Sequence, residues 1–177
     1  MPWHGRSLRF IGLAAACALS SCGSASGGGS PAPVVGGHAG DVAPAAAGTS
    51  IEGHPVALSA WRGSVVVILF WASWCIPCQA EQPAVSALAE QEVKAAVHFV
   101  GVSVDVDRTA AQSYITRFAV PYDSLLDSTE TLAVDFEVAG PPTTFVIGRG
   151  GRVAAELVGE LDPDTLRARI AAAQAIA

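Results

Sequence analysis

The chain has 177 residues and a formal net charge of −6, with 16 acidic residues against 10 basic ones. This balance argues against nucleic acid and anionic lipid headgroups as partners, because both attract basic proteins. Beyond its N-terminal segments, about 130 residues remain, enough for one domain with a substantial core.

The first 21 residues have the pattern of a targeting segment. Two arginines precede a short apolar stretch, and the sequence LSSC at residues 19–22 has the form of a bacterial lipobox. The apolar stretch is too short to span a bilayer. We therefore predict a lipoprotein signal peptide at residues 1–21, cleavage before Cys22, and lipid on the sulfur and amino group of Cys22. An ordinary signal peptide cut nearby is the alternative.

Residues 22–48 are rich in Gly, Ser, Ala and Pro and show no hydrophobic periodicity. This composition predicts a flexible tether that joins the lipid to a domain at residues 49–177, with His38 as a solvated tether residue. Cys17 would leave with the signal peptide and Cys22 would carry lipid. Two free thiols, those of Cys75 and Cys78, would then remain.

The domain is predicted to begin with a short strand or hairpin near residues 51–58. An uncharged apolar run follows at Val65–Trp71 and predicts a fully buried central strand. The sequence WCIPC at residues 74–78 comes next, and then a pattern typical of a helix over residues 77–92. Pro83 predicts a kink in that helix.

This order places Cys75 at the N-terminus of a helix. Unpaired backbone N–H groups and the positive end of the helix dipole stabilise a thiolate there and lower its pKa. Cys78 lies about one turn later, so we predict Cys75 as the nucleophile and Cys78 as the resolving thiol of a redox-active Cys75–Cys78 disulfide. A zinc half-site would need further ligands, and a disulfide that closes so short a loop stabilises little. Both stay open as alternatives.

The rest of the chain alternates strand and helix. A strand is predicted at residues 97–104, helices at 109–118 and 129–136, a β-hairpin at 144–158, and a terminal helix that opens at Asp162 and Pro163. Such an order predicts an α/β fold with three layers and a mixed central sheet.

Three sequence features together resemble the thioredoxin superfamily: FWASWCIPC at residues 70–78, then Glu81 and Pro83, and GPPTTF at residues 140–145. Within it, the chain resembles the extracytoplasmic TlpA/ResA-like branch, which includes DsbE-type cytochrome c maturation proteins. The resemblance spans residues 53–170. It implies a thioredoxin-like three-layer α/β/α sandwich with a central mixed β-sheet, and an extra helix and strand within residues 105–136.

The resemblance also implies roles for individual residues. Pro142 matches a cis-proline opposite the dithiol, where the backbone of Pro141 would pair with a substrate peptide through its carbonyl. Glu81 matches a glutamate that tunes the thiol pKa or relays protons; a solvated helix residue is the alternative. Leu69 stands where many thioredoxins carry a buried carboxylate, so deprotonation of Cys78 would depend on Glu81 or water.

Trp74 adjoins the nucleophile and is expected to form part of an exposed apolar lip that binds substrate. The resemblance thus implies a membrane-anchored, extracytoplasmic thiol-disulfide oxidoreductase without cofactor or metal. We expect it to reduce disulfides of exported proteins such as apocytochrome c, with electrons from a membrane-embedded thiol donor.

Other functions fit the sequence less well. Oxidation of partner dithiols, with electrons passed to a membrane-embedded acceptor, is the main alternative. Copper-handling lipoproteins of thioredoxin fold use C-x-x-x-C and a downstream histidine, whereas this chain has C-x-x-C and no histidine after His98. A non-catalytic adaptor would not need the cysteine pair, and no peroxidatic Pro-x-x-x-Thr-x-x-Cys loop indicates a thiol peroxidase.

Overall fold

The computed structural model describes residue 1 and residues 32–176, and the chain from Ala32 onward forms one compact unit. The predicted signal peptide beyond residue 1, the first part of the predicted tether, and Cys22 lie outside the described residues. None of the helices in the described part of the chain has the length and apolar character needed to cross a bilayer.

Strands and helices alternate along the described residues as the sequence predicts. The strands are β1 Ala47–Thr49, β2 Pro55–Ala57, β3 Val65–Trp71, β4 Val97–Ser103, β5 Ser124–Leu126, β6 Thr143–Ile147 and β7 Val153–Val158. The α-helices are α1 Ile76–Glu92, α2 Arg108–Phe118, α3 Thr131–Asp135 and α4 Pro163–Ala175. Short 3-10 helices lie at Leu58–Trp61 and Val93–Ala95.

Five strands form the central sheet in the order β5-β4-β3-β6-β7. Strand β3 pairs parallel with β4 and antiparallel with β6, so the predicted mixed sheet is confirmed. Strands β1 and β2 form a separate antiparallel pair. Every residue of β3 is buried, as expected for a strand covered on both faces.

Side chains of β3 alternate between two cores. Ile68 and Phe70 lie in the core under α2 and α3, where the rings of Phe70, Phe136 and Phe145 pack at centroid distances of 5.2–5.8 Å. Val67 and Leu69 lie in the opposite core, which is filled from the two other helices. That second core includes Val85 and Leu88 of α1 and Leu166 and Ile170 of α4. Helices therefore cover both faces of the sheet, which confirms the three-layer thioredoxin-like sandwich.

Capping side chains explain where two helices begin. Asp107 accepts the N–H of Thr109 at 2.8 Å before α2, and Asp162 accepts the N–H of Thr165 at 3.0 Å before α4. The predicted helix over 129–136 is shorter in the structure, because Glu130 precedes it in a left-handed conformation with φ 57°. Asp127 nevertheless accepts the N–H of Ala133 at 2.9 Å inside α3.

The predicted boundary between tether and domain needs correction. Val42 N–H donates to Val34 O at 2.8 Å, and Val153 N–H donates to Asp41 O at 2.9 Å, so this segment is bonded to the start of β7. Ala46 is 3% exposed within the first core. The domain therefore includes residues 34–48, which the prediction assigned to a flexible tether. The Gly, Ala and Pro residues of this segment show no hydrophobic periodicity. The segment does not need one, because long-range backbone hydrogen bonds hold it in place.

Candidate active site

The dithiol lies where the central strand gives way to the first helix. Cys75 is the N-cap of α1, and its Sγ accepts the N–H of Cys78 at 3.2 Å. The two cysteines form a disulfide with Cα atoms 5.2 Å apart, and they are 3% and 1% exposed. Once the pair is reduced, the same N–H group and the dipole of α1 would favour negative charge on the Cys75 sulfur.

The turn that precedes Cys75 is held by a buried aspartate. Asp105, 3% exposed, accepts the backbone N–H of Ser73 at 2.8 Å and the Ser73 hydroxyl at 2.7 Å. Its Oδ2 also accepts the hydroxyl of Ser103 at 2.9 Å. On the other side, the Gln79 side-chain amide donates to Ser73 O at 2.7 Å. Ser73, the second residue of the redox turn (residues 72–78), is thus fixed by Asp105 just after β4 and by Gln79 on α1.

A second polar group holds the first turn of α1. The Tyr114 hydroxyl donates to Cys78 O at 2.9 Å, and its ring stacks on Trp71 with centroids 4.3 Å apart. Gln82 lies next to it, with Oε1 3.2 Å from the hydroxyl oxygens of Tyr114 and Tyr122. Burial raises the pKa of both tyrosines, so they stay neutral hydrogen-bond donors near neutral pH.

The prolines predicted to bind substrate lie at the same edge of the sheet as the dithiol. The Pro141–Pro142 peptide bond is cis, as predicted. Thr143 pairs with Phe70, so the next step of the register brings Pro142 beside the end of β3. The carbonyl of Pro142 already accepts the N–H of Gly159 at 2.9 Å.

Two exposed apolar side chains form a lip beside the dithiol. Trp74 is 64% exposed and Ile76 is 77% exposed, and the two residues flank the buried Cys75. Large exposed apolar side chains next to a reactive group are typical of a contact surface for a partner. The sequence pointed to Trp74 in this lip, and the structure adds Ile76.

Glu81 is a buried residue of α1 and lies about one turn after Cys78. It is 9% exposed, and its Oε2 accepts the N–H of Leu161 at 2.6 Å. Burial raises the pKa of Glu81 to about 7; the Leu161 hydrogen bond opposes this rise, and the nearby charge of Glu160 adds to it. The alternative of a solvated surface glutamate is therefore wrong.

With this geometry established, comparisons with known proteins identify the family. Residues 39–156 match the AhpC/TSA family. The chain belongs to that family. It is similar to the thiol-disulfide oxidoreductase ResA of Geobacillus kaustophilus, with 28% identity over 127 residues, which is 72% of this chain and 73% of the relative. It is also similar to the thiol:disulfide interchange protein HelX of Rhodobacter capsulatus, with 31% identity over 61% of this chain and 60% of HelX.

A crystal structure shows the same relationship. The protein from Chlorobium tepidum that was provisionally named thiol:disulfide interchange protein DsbE superposes with a TM-score of 0.72 at 31% identity. The match covers 77% of this chain and 97% of that protein. This family member is therefore a thiol-disulfide oxidoreductase of the ResA and DsbE type, with the Cys75–Cys78 pair as its redox centre.

The sequence predicted most residues of this site but not the side chains that hold the redox turn in place. The motif pointed to Cys75, Cys78 and Trp74, and the resemblance pointed to Pro142 and Glu81. The Asp105 clamp and the Tyr114 contact were missed. One signal for Asp105 exists in the sequence: it follows β4, and the carboxyl ends of parallel neighbouring strands meet at one edge of a sheet. Tyr114 lies on a helix 36 residues after Cys78, and nothing local marks it.

Proposed function

We propose that this oxidoreductase is a lipid-anchored, extracytoplasmic reductant of disulfides in exported proteins, with apocytochrome c as the expected substrate. The observation that carries the proposal is the Cys75–Cys78 pair at the helix N-terminus, beside the cis-Pro142 edge and below an exposed apolar lip. This arrangement offers a partner polypeptide a docking surface and a reactive sulfur at one place.

The reaction is a two-step disulfide exchange. In the reduced enzyme, the Cys75 thiolate attacks a sulfur of the partner disulfide, which forms a mixed disulfide and releases one partner thiolate. The Cys78 thiolate then attacks the Cys75 sulfur, which re-forms the Cys75–Cys78 disulfide and releases the second partner thiolate. Two electrons and the two thiol protons pass to the partner. A membrane-embedded dithiol donor then returns the enzyme to its reduced form.

Glu81 is suited to move one of these protons. Cys78 and Glu81 are neighbours at i and i+3 on one helix face, and a carboxyl group with a pKa of about 7 exchanges protons readily near neutral pH. Leu69 is 5% exposed in the apolar core, so the central strand supplies no acid at that position. Resolution by Cys78 would therefore draw on Glu81 as the proton acceptor.

Carboxyl groups near the redox turn offset part of the stabilisation that the N-terminus of α1 gives the Cys75 thiolate, and this offset favours the reductive direction. Strong oxidants of this chemistry owe their potential to a stabilised reduced form. Asp105 binds Ser73 of the turn and Glu81 follows Cys78 by one helical turn, and negative charge on a nearby carboxyl group opposes negative charge on the sulfurs. Less stabilisation of the thiolate leaves the disulfide form more favourable, so the couple should be a better electron donor.

The equilibrium reduction potential of the Cys75–Cys78 couple tests the direction. The polypeptide from Gly23 to Ala177 suits this measurement, because all described strands, helices and both cores lie within it. We expect a value near or below about −270 mV, at the thioredoxin end of the range. A value near about −120 mV would contradict the reductant and support oxidation of partner dithiols instead.

The anchor needs a test of its own. The lipobox at residues 19–22 supports lipidation of Cys22 and a position outside the cytoplasm. We expect globomycin to block processing of the full chain, and Cys22→Ala to abolish lipid labelling and release the protein from the membrane fraction. Unchanged membrane retention of the Cys22→Ala protein would contradict the lipid anchor while leaving the redox function intact.

A further inference from the structure

A pocket of about 370 Å³ lies at the end of the sheet opposite the redox turn. Its walls come from residues 35–47, from the 3-10 helix Leu58–Trp61 and from the turn between β6 and β7. Val66 at the start of β3 belongs to this pocket, whereas Trp71 ends β3 beside the dithiol. Five residue steps of extended strand separate the two, roughly 17 Å. The pocket is therefore not part of the redox site.

Most side chains that line this pocket are apolar. They include Val35, Val42, Leu58, Trp61, Val66 and Ile147. A volume of about 370 Å³ falls within the range of small-molecule sites, which starts near 300 Å³. An apolar ligand of modest size would thus gain free energy by leaving water for this pocket.

Two cations lie at the same pocket without a counter-charge. Arg62 and Arg149 are among the lining residues, and no acidic residue is. Among the described residues, neither guanidinium takes part in the ion pairs or side-chain hydrogen bonds of the structure. Residues 2–31 and 177, which the structure does not describe, contain no Asp or Glu. In a chain with a net charge of −6, these two cations are available to an external anion.

Backbone contacts hold both arginines at one rim. Gly63 N–H donates to Arg149 O at 3.1 Å, which joins the loop after the 3-10 helix to the turn between β6 and β7. The Arg62 guanidinium lies over Gly151, where a Cβ atom would come within 2.7 Å of Nη1. Gly151 has φ 77°, so the turn both requires glycine and leaves room for that guanidinium.

We infer that this pocket binds a single-chain organic anion, with its alkyl chain among the apolar residues and its carboxylate between Arg62 and Arg149. Charge-assisted hydrogen bonds from guanidinium to carboxylate are strong and directional. The chain's own residues 23–31 do not suit the pocket, since they consist of Gly, Ser, Ala and Pro and carry no charge. The occupant is therefore a separate molecule of fatty-acid type.

Calorimetric titration of the Gly23–Ala177 polypeptide with sodium decanoate tests this inference. We expect saturable binding with one site, and binding at least about tenfold weaker in the Arg62→Gln, Arg149→Gln double variant. Arg167→Gln is the matched control. Arg167 pairs with Asp164 on α4, away from the pocket, so this variant should bind decanoate as the unmodified protein does. Decyltrimethylammonium, with the same chain and opposite charge, should bind far more weakly than decanoate.

A second variant separates loss of the cavity from loss of charge. Ser59→Phe places a large side chain at the pocket wall and should weaken decanoate binding with both arginines intact. The inference is overturned if decanoate does not saturate, if the double arginine variant binds it equally well, or if decyltrimethylammonium binds as tightly. Retention on phosphatidylglycerol vesicles without decanoate binding would also overturn it. None of these results bears on the reduction potential of the Cys75–Cys78 couple, so the proposed redox function is tested separately.

Discussion

The two ends of strand β3 are built in different ways. At its C-terminal end, Cys75 and Cys78 follow within seven residues of Trp71, and the helix they open is continuous in sequence with them. At its N-terminal end, the covering segment is residues 34–48, held by backbone bonds to Gly151 and Val153 more than a hundred residues later. The redox site at one end of β3 therefore depends on a motif that is local in sequence. The structure at the other end depends on contacts between residues far apart in the chain.

This difference explains how far each end tolerates change. Side chains hold the redox turn at two points, because Asp105 accepts the N–H of Ser73 and Tyr114 donates to the carbonyl of Cys78. The segment at the other end is held mainly by main-chain hydrogen bonds, so its side chains can be small as long as they fit. We expect mutations of the redox turn and its clamps to change reactivity as well as stability, and mutations at buried positions of residues 34–48 to change stability alone.

The largest effect is expected from the cysteines themselves. Cys75→Ser should reduce disulfide exchange to background, because the nucleophile is lost. Cys78→Ser should also stop turnover, but it should accumulate mixed disulfides through Cys75, since no resolving thiol remains. Insulin reduction and non-reducing gels of partner complexes measure the two outcomes. Equal trapping by both variants would contradict the assignment of Cys75 as the nucleophile.

A comparison of two neighbouring alanines tests the other end of β3. Ala46→Glu would place an unpaired charge in the first core, and we expect it to cost about 3 kcal/mol or more of unfolding free energy. Ala45 is exposed, so Ala45→Glu should change that free energy by about 0.5 kcal/mol or less. Urea denaturation measures both. If residues 34–48 were a flexible tether, the two variants would be equally stable.

Sequence reasoning succeeded where a pattern is local and failed where contacts are distant. The run Val65–Trp71, the C-x-x-C spacing and the Asp162–Pro163 helix start each express a nearby physical preference. Residues 34–48 have no such pattern, and β5 is only three residues long. These elements exist because other parts of the chain lie beside them. A single sequence does not reveal that proximity.

The Asp105 clamp should matter next most, and a neighbouring aspartate provides its control. Asp105→Asn would turn an amide group toward donors on Ser73 or Ser103, and we expect a loss of about 1–3 kcal/mol in unfolding free energy. Asp107→Asn should have little effect, because asparagine caps helices as well as aspartate does.

Stability alone would not show that Asp105 positions the redox turn. The rate of Cys75 alkylation in the reduced protein, followed across pH, adds that readout. We expect the Asp105→Asn profile to shift and the Asp107→Asn profile to coincide with that of the unmodified protein. An unshifted Asp105→Asn profile would mean that the clamp stabilises the fold without tuning the thiol.

The smallest effect concerns Glu81 and depends on pH. Its pKa rises from 4.5 to about 7 on folding, so between these values the folded protein keeps a proton that the unfolded chain has released. The unfolding free energy must therefore fall as pH rises from 4.5 to 7, and it should change no further from this source above that range. Glu81→Gln cannot titrate and can still accept the Leu161 N–H.

The stability of Glu81→Gln relative to the unmodified protein should therefore increase across that window, by about 1–2 kcal/mol once partial solvent screening of the carboxyl is allowed for. Denaturation at a series of pH values measures the difference, and Glu90→Gln, an exposed position on the same helix, is the control. If Glu81 also accepts the proton of Cys78, resolution of a mixed disulfide should lose its pH step near 7 in Glu81→Gln. A retained step would assign that proton to water and leave Glu81 as a structural partner of Leu161.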